Sequence, residues 1–256
     1  MNHIEYFEYH RMWDRYDLCW RNLHSDVNIL VGINGKGKTT LLDAIYDYYT
    51  RPSSLSRKYG DRLKANPLEC PVKYIQSSDV PTKKKGNSPL YENLMNVVLQ
   101  NGEQDSFFNY RMRALNFEKE ADRVKARIEL LFNVVDSFFC QTGKRIAIDK
   151  EKNILVFIED GNPGSQITLD LLSAGEKQLL YMLLTVFLMD EKPYVLLLDE
   201  PELSLHIEWQ EKLIRALREL NGNCQLILTT HSPSIFASGW ESHLTYIEDL
   251  LSETKL

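Results

Sequence analysis

The period of the apolar positions changes several times along the chain, and each change marks an element. Val27-Asn28-Ile29-Leu30-Val31 is a nearly continuous apolar run, as expected of a strand buried on both faces, and two short strands precede it within residues 1–50. A glycine-rich turn follows, then a helix beginning near Lys38 with Leu41, Ile45 and Tyr48 on one face. From Arg51 to Leu90 the composition shifts to Pro, Ser, Lys and Asn, with Pro52-Ser53-Ser54 and Ser77-Ser78-Asp79-Val80-Pro81 as loop signals, so a flexible insertion is expected there. Phe117, Ala121, Val124, Ile128, Leu131, Val135 and Phe138 alternate in steps of four and three. That a/d stripe stops at Phe139, which predicts a helix packed on the core rather than a long coiled coil. Residues 145–149 and 154–158 read as a hairpin about the polar turn Lys150-Glu151-Lys152-Asn153. The last third predicts a helix over 174–189, a strand over 194–198, a helix over 207–220 and a strand over 225–229. Leu213, Leu217 and Leu220 line one face of the second helix, and Asn221-Gly222 stops it. Strands alternating with helices imply an α/β fold with a mainly parallel central sheet.

Composition narrows the class without changing this picture. With 256 residues, 43% of them apolar, the chain has ample material for a packed core. A formal charge of −6 argues against a dedicated nucleic-acid binder, and the basic runs Arg57-Lys58 and Lys83-Lys84-Lys85 sit in the loop-like region, where solvated charge is the ordinary reading. Cys19, Cys70, Cys140 and Cys224 show no metal-type spacing and suit free thiols in a reducing cytoplasm. The N-terminus carries charges and no apolar secretion segment. The most apolar stretch, Leu179 to Met189, is far shorter than the roughly 20 residues a membrane span needs, so no membrane role is expected.

Chemistry enters at the glycine-rich turn. Gly32-Ile33-Asn34-Gly35-Lys36-Gly37-Lys38-Thr39 fits G-x-x-x-x-G-K-[ST] at every fixed position and lies between a buried strand and a helix, with Thr40 as the next residue. Glycines let backbone N–H groups surround phosphate oxygens, and the helix N-terminus adds partial positive charge. Lys38 is expected to reach the β and γ phosphates, and the Thr39 hydroxyl to ligate Mg2+. Tyr194-Val195-Leu196-Leu197-Leu198-Asp199-Glu200 is an apolar strand ending in two carboxylates: Asp199 is placed to hold the magnesium shell, and Glu200 to act as general base on the attacking water. Ser173 and Gly175 open a helix, where a hydroxyl and bare N–H groups can bind phosphate; taken alone, Ser173 is an ordinary N-cap.

Leu172-Ser173-Ala174-Gly175-Glu176-Lys177-Gln178, lying between the two motifs above, resembles the signature of ABC-type ATPases. That resemblance implies that Ser173 and Gly175 contact the nucleotide of a second subunit. In Leu228-Thr229-Thr230-His231-Ser232-Pro233, His231 occupies the slot of the switch histidine, and Glu202-Leu203-Ser204-Leu205-His206 that of the D-loop, departing from the transporter form. Gln76 fits a Q-loop glutamine that contacts magnesium and water, and either Trp13 or Tyr16 could stack on adenine. Asp199-Glu200-Pro201-Glu202 with Leu205-His206, and the opening block through Ile45, are similar to the RecF, SMC and OLD-like ATPase heads. The resemblance covers 1–50 and 145–240 and leaves 51–116 poorly matched. Too few residues separate Lys38 from Asp199 for long coiled-coil arms, and too few follow residue 250 for a nuclease domain. The implied organisation is a single ATPase domain, with 1–50 and 145–250 as core and 51–144 as an insertion and helical lobe. The implied function is an ATPase that dimerises around ATP and Mg2+ and switches a separate effector, a nuclease or toxin, in antiphage defence or DNA transactions. A transporter ATPase and a DNA-stimulated repair ATPase stay open as alternatives.

Overall fold

The computed structural model describes residues 3–76, 88–99, 106–149, 151–152 and 154–254. Lys83, Lys84, Lys85 and the loop signal at 77–81 lie outside them. From the N-terminus, β1 (Tyr6–Met12) and β2 (Tyr16–Arg21) are followed by β3 (Val27–Val31), α1 (Lys38–Thr50) and α2 (Pro52–Lys58). Next come β4 (Leu63–Asn66), β5 (Val72–Ile75), α3 (Pro89–Val98), α4 (Phe107–Asn116), α5 (Ala121–Phe139), β6 (Lys144–Ile148), β7 (Leu155–Glu159) and β8 (Asn162–Ile167). The remainder runs α6 (Ala174–Phe187), β9 (Tyr194–Asp199), α7 (Ile207–Leu220), β10 (Cys224–Thr229), β11 (Leu244–Tyr246), the single turn α8 (Ile247–Leu250) and β12 (Leu251–Glu253).

The central sheet is five-stranded and parallel, in the order β11-β3-β10-β9-β5. Its three inner strands, β3, β10 and β9, read as largely apolar runs because both faces are covered. Ile29, Leu196, Leu198, Leu226 and Leu228 face a core shared with helices α3 to α7. Their neighbours Leu30, Val195, Leu197 and Ile227 face a second core, formed with α1 and the antiparallel sheet β12-β2-β1-β4. A three-stranded antiparallel sheet, β6-β7-β8, leads into α6.

Two expectations need correction. Residues 51–76 fold as α2, β4 and β5 rather than as loop, and β4 and β5 close one edge of the antiparallel and parallel sheets respectively. The a/d stripe begins later than expected: Phe117 lies between α4 and α5 and is 57% exposed, whereas Val124, Leu131, Val135 and Phe138 are buried. The apolar pattern also hides a charge, because Arg127 is buried on the same helix. Its Nη1 donates to the Leu220 carbonyl at 2.8 Å and its Nη2 to the Phe187 carbonyl at 3.5 Å. One guanidinium therefore serves the last residues of both α6 and α7, where orphan carbonyls and the negative ends of the helix dipoles attract a cation. The hairpin 145–158 is present and gains a third strand, β8.

Candidate functional site

Parallel strands deliver their C-terminal ends to one edge of the sheet, and the adjacency of β3, β10 and β9 brings the chemistry-bearing residues together there. The turn after β3 holds Gly35 and Gly37 at φ of 80° and 98°, a region costly for residues with a Cβ. At Gly37 a Cβ would also meet Met12 and Trp13 at 2.3 and 2.7 Å. Trp13, in the tight β1–β2 connection, thus lies against the loop, half exposed, with Tyr16 edge-on to its ring at 6.5 Å. Of the two aromatic candidates, Trp13 is the one in contact with the loop.

At the start of α1, Lys38 is buried, and its Nζ donates to the Gly32 carbonyl at 2.9 Å and lies 2.8 Å from His231 Nε2. Burial lowers the Lys38 pKa, opposed by the nearby charges of Glu200, Asp199, Glu248 and Glu202. His231 Nε2 is also 3.2 Å from Glu200 Oε1. A ring nitrogen is either donor or acceptor, so Lys38 and Glu200 compete for it: Nε2 accepts from Lys38 when it carries no proton, and donates to Glu200 when it carries one. The Thr39 hydroxyl donates to Asp199 Oδ2 at 2.9 Å, and Thr229 Oγ1 to Asp199 Oδ1 at 2.6 Å. Glu200 leaves the strand with φ 46°, its N–H held by the Thr229 carbonyl and hydroxyl at 3.2 and 3.1 Å. Lys38, Thr39, Asp199, Glu200 and His231 therefore form one connected cluster.

Gln76 follows β5 at the same edge, and its Nε2 donates to Asp43 Oδ1 at 3.4 Å, one helical turn beyond Thr39. Asn34, Gly35 and Lys36 are exposed on the loop. Ser173 and Gly175 lie elsewhere: among the described residues, no hydrogen bond joins 172–178 to the loop 32–40. Ser173 caps α6 in a reciprocal capping box, with Glu176 N donating to Ser173 Oγ at 3.2 Å and Ser173 N to Glu176 Oε2 at 2.8 Å. Lys144 Nζ bonds Glu176 Oε1 at 2.7 Å. Burial alone would raise the Glu176 carboxyl, but the Lys144 and Ser173 donors outweigh it and hold it below its ordinary value. Gly175 packs so closely on Ser204 that a Cβ would stand 2.2 Å from the Ser204 carbonyl oxygen. A cavity of about 630 Å³ opens here, lined by Ser173, Gly175, Glu176, Ser204, His206 and Trp209 among others.

Two carboxylates gain roles that sequence alone did not disclose. Glu202 is buried, and its Oε1 accepts from Thr230 Oγ1 at 2.6 Å and from His231 N at 2.9 Å, fixing the turn that carries the histidine. Glu248, on α8, accepts from Ile33 N at 3.0 Å, which lowers its pKa and ties the C-terminal segment to the glycine loop. The signal for Glu202 was its place after Asp199-Glu200-Pro201; Glu248 had none, its partner being at the other end of the chain.

The fold and this cluster define a P-loop ATPase of ABC type built like an SMC head. Residues 86–237 match the family described as "AAA domain, putative AbiEii toxin, Type IV TA system", and the chain belongs to that family. It is 31% identical over 104 residues to the Retron Vc95 probable ATPase of Vibrio cholerae serotype O1 biovar El Tor, a match that covers 36% of this chain and 20% of that protein. It is 22% identical over 273 residues to the Septu protein PtuA of Bacillus thuringiensis, covering 83% of this chain and 67% of that one. The chain thus spans about a fifth of the first relative's length and about two thirds of the second's. Among solved structures it is similar to an SMC head bound to the C-winged helix domain of ScpA, with a TM-score of 0.54, 13% identity and 92% of each chain covered. It is also similar to the SMC head domain from Thermotoga maritima, with a TM-score of 0.51, 16% identity and 99% of each chain covered.

Proposed function

We propose that the chain binds ATP with Mg2+ on residues 32–40 and hydrolyses it between two copies of itself facing head to tail, and that closing and opening of this sandwich switches a partner protein. The observation that carries the reading is the meeting of Thr39 and Asp199 at 2.9 Å beside Lys38, Glu200 and His231. Hard oxygen donors from a threonine and an aspartate fit magnesium, which supplies charge neutralisation at the β and γ phosphates. Lys38, held between the Gly32 carbonyl and His231, is placed to neutralise phosphate charge. Glu200 is the base for the attacking water, and His231, its turn fixed by Glu202, senses the γ-phosphate. Gln76 completes the metal and water contacts, and Trp13 stacks on the adenine.

Ser173, Gly175 and the cavity beside them form the second half of the site for the facing copy. Their separation from the loop within one chain and the close packing of Gly175 on Ser204 favour this reading. The kinship with a retron ATPase and a Septu protein supports antiphage defence as the setting, with a nuclease or toxin as effector. No helix among the described residues is long and apolar enough to cross a membrane. Lys58, one contact of the DNA reading, is paired with Asp47 at 2.6 Å.

Removing the base separates binding from chemistry. Glu200→Gln is expected to lower ATP turnover by at least about 100-fold while nucleotide binding, read by isothermal calorimetry, persists. Turnover at the wild-type rate in this variant would remove Glu200 from the mechanism.

A further inference from the structure

At the N-terminal end of the parallel sheet, opposite the glycine loop, the β2–β3 connection and the residue before β11 bring His24, Asp26 and His243 together. Each offers one ligand atom, and the three atoms lie within 4.8 Å of one another. His243 Nε2 is 3.5 Å from Asp26 Oδ1, and the two imidazole rings are 4.6 Å apart. The trio joins segments more than 200 residues apart in sequence, brought into register by the pairing of β3 with β11.

We propose that His24, Asp26 and His243 bind one divalent transition-metal ion of the zinc class, which clasps the β2–β3 connection to β11. Ligands at about 2.0–2.2 Å from a shared ion stand no more than roughly 4 Å from each other, so a small side-chain rotation closes the observed set around it. Two imidazoles and one carboxylate leave a fourth position for water and select zinc-like ions over magnesium or calcium, which take mainly oxygen ligands.

The surroundings are those of a built site. Ser242 Oγ lies 3.1 Å from His243 Nδ1; when Nδ1–H donates to it, the Nε2 lone pair facing Asp26 is free to ligate. His24 is exposed, but its backbone is fixed from below. Its N–H donates to Asn28 Oδ1 and its carbonyl accepts from Asn28 Nδ2 and from the fully buried Gln225 Nε2, all at 2.8 Å. Asp26 is oriented by Val27 N, which donates to its Oδ1 at 2.7 Å. The clasp has a mechanical consequence, because β11 runs directly into α8, whose Glu248 holds the glycine loop through Ile33 N. A metal at one end of β11 therefore steadies the strand that supports the loop from the other.

The test uses the chain stripped with a chelator and titrated without nucleotide or magnesium. Co2+ is followed by its visible absorption and Zn2+ by the thermal midpoint. We expect one equivalent of cobalt with nitrogen and oxygen ligand bands and no thiolate charge-transfer band, and a zinc-dependent rise in Tm. His24→Ala and His243→Ala, made separately, should each weaken binding at least tenfold and abolish the rise, while His231→Ala keeps both. His24 is exposed, so its variant reports on the metal even if His243→Ala disturbs packing. Absence of cobalt binding in the wild type, thiolate bands, binding as tight as wild type in both His24→Ala and His243→Ala, or loss only in His231→Ala would each overturn the proposal.

Discussion

At the scale of single residues, several positions of the candidate site are held by close contacts that tolerate little change. Gly175 lies near the start of α6, where alanine would ordinarily favour the helix by about 1 kcal/mol. A Cβ there meets the Ser204 carbonyl at 2.2 Å, a backbone atom that cannot rotate away. Overpacking of this kind costs about 1–3 kcal/mol, which outweighs the helix gain. Gly175→Ala is therefore expected to lower the midpoint of urea unfolding, and an unchanged or raised midpoint would show that the turn at Ser204 yields freely. Glu176 makes a parallel case. The capping box and Lys144 hold its folded carboxyl below the unfolded value, so its contribution is complete above the ordinary glutamate pKa and is lost as the pH falls through the folded value. Glu176→Gln keeps the capping-box geometry but loses the charge that Lys144 pairs with, and should cost about 1 kcal/mol near neutral pH, with the difference from wild type shrinking under acid in thermal melts.

At the scale of elements, the long helices and buried strands were legible in the sequence because each spans enough residues to show a period. The predicted helix over 207–220 coincides with α7, and the apolar run at 27–31 with β3. The three- and four-residue strands were not legible. β5, four residues long, and β11, three long, are strands because β9 and β3 offer open edges for pairing, which is tertiary information. Arg127 escaped for a related reason, since the carbonyls it serves belong to α6 and α7. The attachment of α4 and α5 to the core was equally invisible. Asp190, at the end of the α6 turn, receives the Tyr110 hydroxyl at 2.9 Å, Arg113 at 3.1 Å and Arg123 at 2.6 Å. Burial would raise its carboxyl, but these donors together hold it below the usual range. Asp190→Asn should cost about 1.5–3 kcal/mol at neutral pH, the scale of lost hydrogen bonds to a charged group. The deficit should diminish as the pH falls below the ordinary carboxylate range, where the wild type loses the same interactions. A deficit independent of pH would place the role of Asp190 in packing instead.

At the scale of the whole molecule, the proposed function draws on two surfaces: the sheet edge with Lys38, Thr39, Asp199, Glu200 and His231, and the α6 N-terminus with Ser173 and Gly175. The first was nearly complete in the sequence because its residues cluster in short motifs at strand ends. What sequence could not supply were the supports that come from distant segments, Glu202 under His231 and Glu248 under the loop. On the reading proposed above, these surfaces are half-sites that meet across two copies of the chain, which makes a nucleotide-gated dimer the unit of function.

The most direct test of that account is the mass of Glu200→Gln by light scattering with and without ATP and Mg2+. A nucleotide-dependent doubling is expected, and it should be lost when Ser173→Arg is added, because the arginine fills the α6 face proposed to receive the facing copy's nucleotide. A mass unaffected by ATP, or a doubling that survives Ser173→Arg, would contradict it.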